Sequence, residues 1–262
     1  KMSEYANRFF SSMEFMTRIP GKIPFEYKAK SQNIAFFPLV GLIAGLLIVA
    51  VAYLSSLVFP ADVSSIITVL ALVVITGGLH LDGLSDSFDG LLSYRDKENI
   101  ILIMKDSRIG AMGLLAVVFV IMFKVAFVEM AIDSEDILLI LSLPVAGRMA
   151  IVMACYKGRS MNKSIMGEPF IGKLSKSNYY GIILFYGAMM SLLMYFFYGI
   201  IYSISFIFAL LMLHFIVIAL KEFSYNKIDG ISGDILGAIC EISETLYIPL
   251  FYTGVFICNQ FI

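Results

Sequence analysis

Charge is scarce in this chain. Asp, Glu, Lys and Arg make up 15% of its 262 residues, against about a quarter in an average soluble domain. Hydrophobic residues make up 60%, and the mean hydropathy is +0.89. That balance excludes an ordinary soluble domain and implies a polytopic membrane protein. The formal net charge is −1, with no long basic tail and no nucleic-acid module, so a nucleic-acid partner has no support. Cysteine is sparse too: Cys155, Cys240 and Cys258 stand apart in apolar sequence without a CxxC pair, which reads as buried inert thiols. The first thirty residues are polar and charged where a signal peptide would carry its apolar stretch.

What the chain has instead is apolar runs close to the length that crosses a bilayer, about 17 to 25 residues. They lie at Ile34–Phe59, Ser65–Gly78, Gly110–Ile132, Ile137–Tyr156, Tyr179–Tyr198, Ile201–Leu220 and Ile235–Cys258. The expected fold is an all-α, polytopic integral membrane helical bundle of about seven transmembrane segments, forming one membrane-embedded domain over 1–262. The second run is short unless its helix starts near Ala61 or continues into the polar stretch after it, and Glu241 and Glu244 interrupt the last. Six spans plus a partly embedded helix is therefore the alternative. Residues 1–33 read as a cytoplasmic amphipathic segment, with Phe9, Phe10, Met13, Phe15 and Met16 among charges before a turn at Pro20, Gly21 and Pro24.

All but Lys124 and Arg148 of the 19 basic residues fall in four stretches, Lys1–Lys30, Arg95–Arg108, Lys157–Lys176 and Lys221–Lys227. The intervening connections carry none. This positive-inside pattern predicts a multi-pass protein of the cytoplasmic (inner) membrane with its N-terminus in the cytoplasm, an odd number of spans, and a C-terminus outside. A homodimer is left open.

The chemistry gathers in GGLHLDGLSDSFDG, Gly77–Gly90. On a helix Asp82, Asp86 and Asp89 fall at i, i+4 and i+7, within an arc of about 60° along roughly 10 Å of axis. Three like charges on one face need a cation, either a hard metal ion or basic side chains from elsewhere. A Mg²⁺-bound diphosphate fits, because Mg²⁺ takes a few carboxylates and completes its octahedron with waters and phosphate oxygens. A cation conduit or a polar seam between helices would use the same residues. Gly77 and Gly78 could bend the chain or admit another backbone, and Gly83 and Gly90 remove bulk beside the acids.

Two further segments complement that motif. MKDSRIG, Met104–Gly110, sets Lys105, Asp106 and Arg108 before the third span, where the lysine and arginine suit phosphate and Asp106 is either a metal ligand or their tether. In DGISGDILGAICEISE, Asp229–Glu244, Asp234 and Glu241 are two helical turns apart on nearly one face, Glu244 follows, and Gly233 and Gly237 permit close helix packing. Two such acidic helices could hold paired metal ions. Arg148 lies inside the fourth span and should pair with an acid or reach into a polar cavity as a substrate contact. Lys124 reads as a snorkelling residue or a partner of Glu129, His214 as an internal hydrogen-bonding residue. His80 points almost opposite Asp82 unless the glycines redirect it. The basic loop Tyr156–Asn178 could cover an anionic substrate or face anionic lipid.

GGLHLDGLSDSFDG followed by KDSRIGAMG and SGDILGAICEISE resembles the cobalamin synthase family, the adenosylcobinamide-GDP ribazoletransferases. The likeness runs over nearly the whole chain, including the early FFSSMEFMTRIP segment. It implies a Mg²⁺-dependent membrane enzyme that joins adenosylcobinamide-GDP to alpha-ribazole or its 5'-phosphate, releasing GMP and giving adenosylcobalamin or its 5'-phosphate. The resemblance matches Asp82, Asp86 and Asp89 to the family's aspartates; together with the residues read above, the expected metal ligands are Asp82, Asp86, Asp89, Asp106, Asp234 and Glu241. Asp86 or Asp89 orients or deprotonates the attacking hydroxyl, and Lys105, Arg108 and Arg148 face the substrate. Ser232 stands where threonine is common in the family, which keeps the hydroxyl, and the preceding YNKIDGI is less glycine-rich than the family pattern. A CDP-alcohol phosphotransferase is the alternative enzyme, but DSFDG continues into LLSYR and lacks that family's second acidic motif. An ion or solute transporter is the alternative of another class, and the paired repeats it should show are not evident.

Overall fold

The computed structural model describes residues 4–19, 31–161 and 168–261. The turn expected at Pro20, Gly21 and Pro24 and residues 162–167 of the basic loop lie outside them. The helices run α1 (Glu4–Met16), α2 (Phe37–Ser56, entered through a short 3-10 turn at Ser31–Phe36), α3 (Ala61–Thr76), α4 (Leu79–Leu91), α5 (Lys97–Ile103), α6 (Ala111–Asp133), α7 (Ile137–Cys155), α8 (Lys176–Tyr198), α9 (Ile200–Ile228) and α10 (Gly233–Phe261).

Six of these, α2 with its lead-in and α6 to α10, are long and apolar enough to cross a membrane. A seventh crossing is reached if α3 and α4 count as one bent span. The second crossing does begin at Ala61, but the aspartate motif is not its continuation: α4 is turned 89° from α3. Two glycines make that corner, Gly77 at φ +64° and Gly78 at φ +70°, a conformation L side chains rarely adopt. The last run is one continuous helix, α10, despite its glutamates.

α7 is the axis of the bundle, buried at every position from Leu138 to Cys155. Lipid tails give no hydrophobic drive between helices, so close packing of small residues supplies the contact. Gly41 and Gly45 of α2 do this against α7: a Cβ on either would fall within 2.6 Å of the Pro144 or Leu141 carbonyl oxygen. The outward faces of α2, α3, α6, α8 and α9 carry exposed Leu, Ile, Val and Phe side chains, as lipid contact requires. The chain leaving α7 pairs with the α9–α10 connection, Met161 N–H donating to Ile231 O (3.0 Å) and Ile231 N–H to Arg159 O (2.8 Å). That pairing fixes where α10 starts.

Candidate active site

The corner at Gly77 and Gly78 lays α4 against the first turns of α10 and α6. Gly83 makes the α10 contact, because a Cβ there would stand 2.8 Å from the Asp234 carbonyl oxygen. From the other side Gly237 meets the backbone of His80, where a Cβ would be 3.1 Å from its oxygen. Backbone-to-backbone approach at two glycines thus brings Asp82 and Asp86 beside Asp234, two acidic segments some 150 positions apart in sequence. Asp82 and Asp234 line a recess together with Phe15, Met16, Phe37 and His80. α1 therefore closes one side of the acidic group.

Among the described residues no Lys or Arg forms an ion pair with Asp82, Asp86 or Asp234. Asp234 takes a weak hydrogen bond from the Ser232 hydroxyl (3.3 Å), and Lys105 lies near enough to act on it electrostatically. Burial, and then the carboxylates of Asp82, Asp234 and Asp89, push the Asp86 carboxyl up to about 7. Among the described residues, no three carboxylate, histidine or thiol groups stand close enough together to hold a metal ion.

Three of the acids expected as ligands have other partners. Asp89 accepts from the backbone N–H of Gly110 (2.7 Å) and of Gly113 (2.8 Å), one on each oxygen. It thereby caps the N-terminus of α6 from α4 and occupies the anion position that a helix N-terminus offers. Gly110 and Gly113 are required there, since a Cβ on either would strike the Asp89 carboxylate. Asp106 accepts from Arg108 through Nε (3.0 Å) and Nη2 (2.6 Å) and from the Arg108 N–H (3.0 Å), which holds its carboxyl down to about 2. Of the two readings of Asp106, this geometry is that of a tether. Asp229, which is not one of the expected ligands, pairs with Lys97, which keeps its carboxyl below the usual range; the third is Glu241.

Glu241 lies deeper, in a buried ion cluster that reasoning from sequence did not assemble. Lys124 of α6 donates to Glu241 (2.6 Å) and also to Glu244, and Arg148 of α7 donates to Glu244. All four side chains are buried. Two cations and two anions cancel, which is what a low-dielectric interior demands. Arg148 finds the acid its position required. Lys124, read as snorkelling or paired with Glu129, is instead the bridge between both glutamates. The signal was in the sequence: Lys124, Arg148, Glu241 and Glu244 are charges set well inside apolar runs, two of each sign.

The sequence has counterparts among known proteins. A family model described as cobalamin-5-phosphate synthase matches residues 8–252, a stretch that includes every polar segment above. The chain belongs to the cobalamin-5-phosphate synthase family. It is 38% identical over 252 residues to the adenosylcobinamide-GDP ribazoletransferase of Clostridioides difficile, covering 95% of this chain and 98% of that protein. Proteins of the same name from Alkaliphilus metalliredigens (41% over 247 residues, 92% and 93% covered) and Clostridium tetani (35% over 258 residues, 97% and 99% covered) are also similar. No solved structure matches the chain. Family membership makes this membrane bundle an enzyme of the transferase class.

Proposed function

We propose that the protein is a Mg²⁺-dependent transferase that moves the adenosylcobinamide-phosphate group from adenosylcobinamide-GDP to alpha-ribazole or its 5'-phosphate, releasing GMP. The observation that carries this reading, beside the family, is the acidic group of Asp82 and Asp234 at one recess with Asp86 close enough to feel both charges, and with no cation among the described residues paired to any of the three. Such a donor set fits Mg²⁺, which prefers a few carboxylates together with phosphate oxygens. We assign the metal to these three, because Asp89, Asp106 and Glu241 are engaged by Gly110 and Gly113, by Arg108 and by Lys124. When bound, Mg²⁺ neutralises the donor's diphosphate and polarises the phosphorus under attack.

The chain's own residues do the rest. The acceptor's 3'-hydroxyl oxygen forms a bond to the phosphorus that carries cobinamide, while the bond from that phosphorus to the bridging oxygen breaks and GMP departs with that oxygen. The hydroxyl proton passes to the oxygen of Asp86 that is not given to the metal. Asp89 suits the base role less, since each of its oxygens already accepts a backbone N–H. Lys105 and Arg108, exposed beside the site, offset charge moving onto the leaving phosphate. The basic stretches of the sequence support a cytoplasmic position for the recess and the N-terminus by the positive-inside rule.

The test is Mg²⁺-dependent GMP release by the purified protein in liposomes given adenosylcobinamide-GDP and alpha-ribazole, with Asp86→Asn as the control. Corrinoid product and GMP from the parent protein alone are expected. A folded protein that turns over a CDP-linked donor instead would replace this reading.

A further inference from the structure

His80 is buried at 4% exposure yet lines the recess alongside Asp82 and Asp234. Its Nδ1 lies 3.4 Å from Nη2 of Arg148. A guanidinium only donates, so Nδ1 must be the accepting, unprotonated nitrogen; a proton there would face another donor. The ring hydrogen is then on Nε2. That nitrogen has no partner among the described residues and is not one of the side-chain atoms sealed from solvent without a partner. The open space that His80 lines is the acidic recess. Arg148 itself is held by Glu244, which shares Lys124 with Glu241. The buried ion cluster thus ends, at its recess side, on an imidazole whose tautomer it sets.

We propose that His80 presents a neutral Nε2–H donor to a phosphate oxygen of the substrate in the recess, and that Arg148 and Glu244 are positioning residues that hold its tautomer. This rests on the proposed transferase reading for the identity of the substrate, though not for the tautomer. His80 is then an oxyanion donor and not the base, which leaves proton abstraction to Asp86. It also gives a function to charged residues buried about a helical turn or two behind the recess: Glu244 fixes Arg148, Arg148 fixes the ring, and the ring meets the phosphate.

Only His80 and His214 are histidines in this chain, so a His214→Gln background leaves a single imidazole for ¹⁵N-histidine NMR in bicelles. The expected spectrum has an unprotonated Nδ1 and a protonated Nε2, with the Nε2 resonance moving when Mg²⁺ and inorganic pyrophosphate are added. In the charge-neutral double variant Arg148→Met/Glu244→Gln the ring should become a mixture of tautomers. Kinetics separate a donor role from a packing role. Glutamine places its amide nitrogen near the Nε2 position, whereas asparagine reaches only the Nδ1 position facing Arg148. His80→Gln should retain kcat within about tenfold, while His80→Asn and His80→Leu should lose about 10²-fold or more in kcat, the usual cost of one oxyanion donor, with KM little changed. A protonated Nδ1, an Nε2 resonance indifferent to pyrophosphate, or activity kept by asparagine and lost by glutamine overturns the proposal. Absence of GMP release by the parent protein would count against the transferase reading alone, because the tautomer and its response to pyrophosphate are read without turnover.

Discussion

Replacing Lys124 by methionine removes the cation between two buried glutamates while keeping the volume of the stem. Glu244 retains Arg148, but Lys124 is the ion-pair partner of Glu241 among the described residues, so the variant leaves one carboxylate buried in the bundle without a counter-charge. Removing one member of a buried pair costs about 3–5 kcal/mol, most of it the uncompensated charge left behind. The double variant Lys124→Met/Glu241→Gln restores neutrality, with Arg148 and Glu244 still paired, and should recover to within about 1–2 kcal/mol of the parent. The coupling energy in the cycle is then on the order of 2–3 kcal/mol, well above the few tenths at which independent sites add. Steric trapping of the unfolded state in bicelles reads these differences, and GMP release on the same samples reads the site. The reasoning fails if the single and double variants are equally destabilised, since Lys124 and Glu241 would then not be compensating each other. A second refuting result is a Glu241→Gln protein of parental stability whose Mg²⁺ requirement is shifted, which would return Glu241 to the metal ligands.

The Asp86 carboxyl gives a pH prediction whose sign follows from its raised position. Folded, it binds its proton up to about 7, whereas an unfolded aspartate releases it near its ordinary value of 3.8, so the metal-free fold takes up protons in that window and loses stability as pH rises through it. Added Mg²⁺ should therefore raise the melting temperature more at pH 8 than at pH 6, and Asp86→Asn should abolish the difference. Substituting Gly83 by valine sets branched carbons against the Asp234 backbone, where even a Cβ would lie within 2.9 Å of two backbone atoms; activity should fall by at least about 10²-fold while the helix content by circular dichroism stays, and full activity would show that α4 need not touch α10. Asp89→Asn turns one accepting oxygen into a donor facing a backbone N–H, at a cost of about 1–3 kcal/mol, seen as a lower melting temperature even without substrate. Asp106→Asn, acting on a tether, should raise the KM for adenosylcobinamide-GDP several-fold without altering the Mg²⁺ concentration needed for half-maximal rate.

Those outcomes bear on residues that differ in how far the sequence exposed them. The class of fold was legible because lipid admits few solutions: long apolar helices satisfy their own backbone, and their lengths are fixed by the bilayer. The α3–α4 corner was half legible, since adjacent glycines allow a left-handed turn without stating its angle. The closeness of Asp82, Asp86 and Asp234 was foreshadowed by their sharing acidic helical faces with glycines beside them, although only the contacts of Gly83 and Gly237 with the opposing backbones set the register. The partners of Asp89, Asp106 and Glu241 were not legible. Helical spacing says which carboxylates share a face, and it is silent on what stands opposite that face. The N–H groups of Gly110 and Gly113, the Arg108 fork and the Lys124 ammonium each stand opposite one of them. A carboxylate with such a partner is neutralised in place, and one without it remains free for a metal ion. On the proposed reading, the division between structural and reactive acids is a property of the partners, so exchanging a partner should convert one kind into the other: in the Lys124→Met protein Glu241 becomes the acid without a counter-ion.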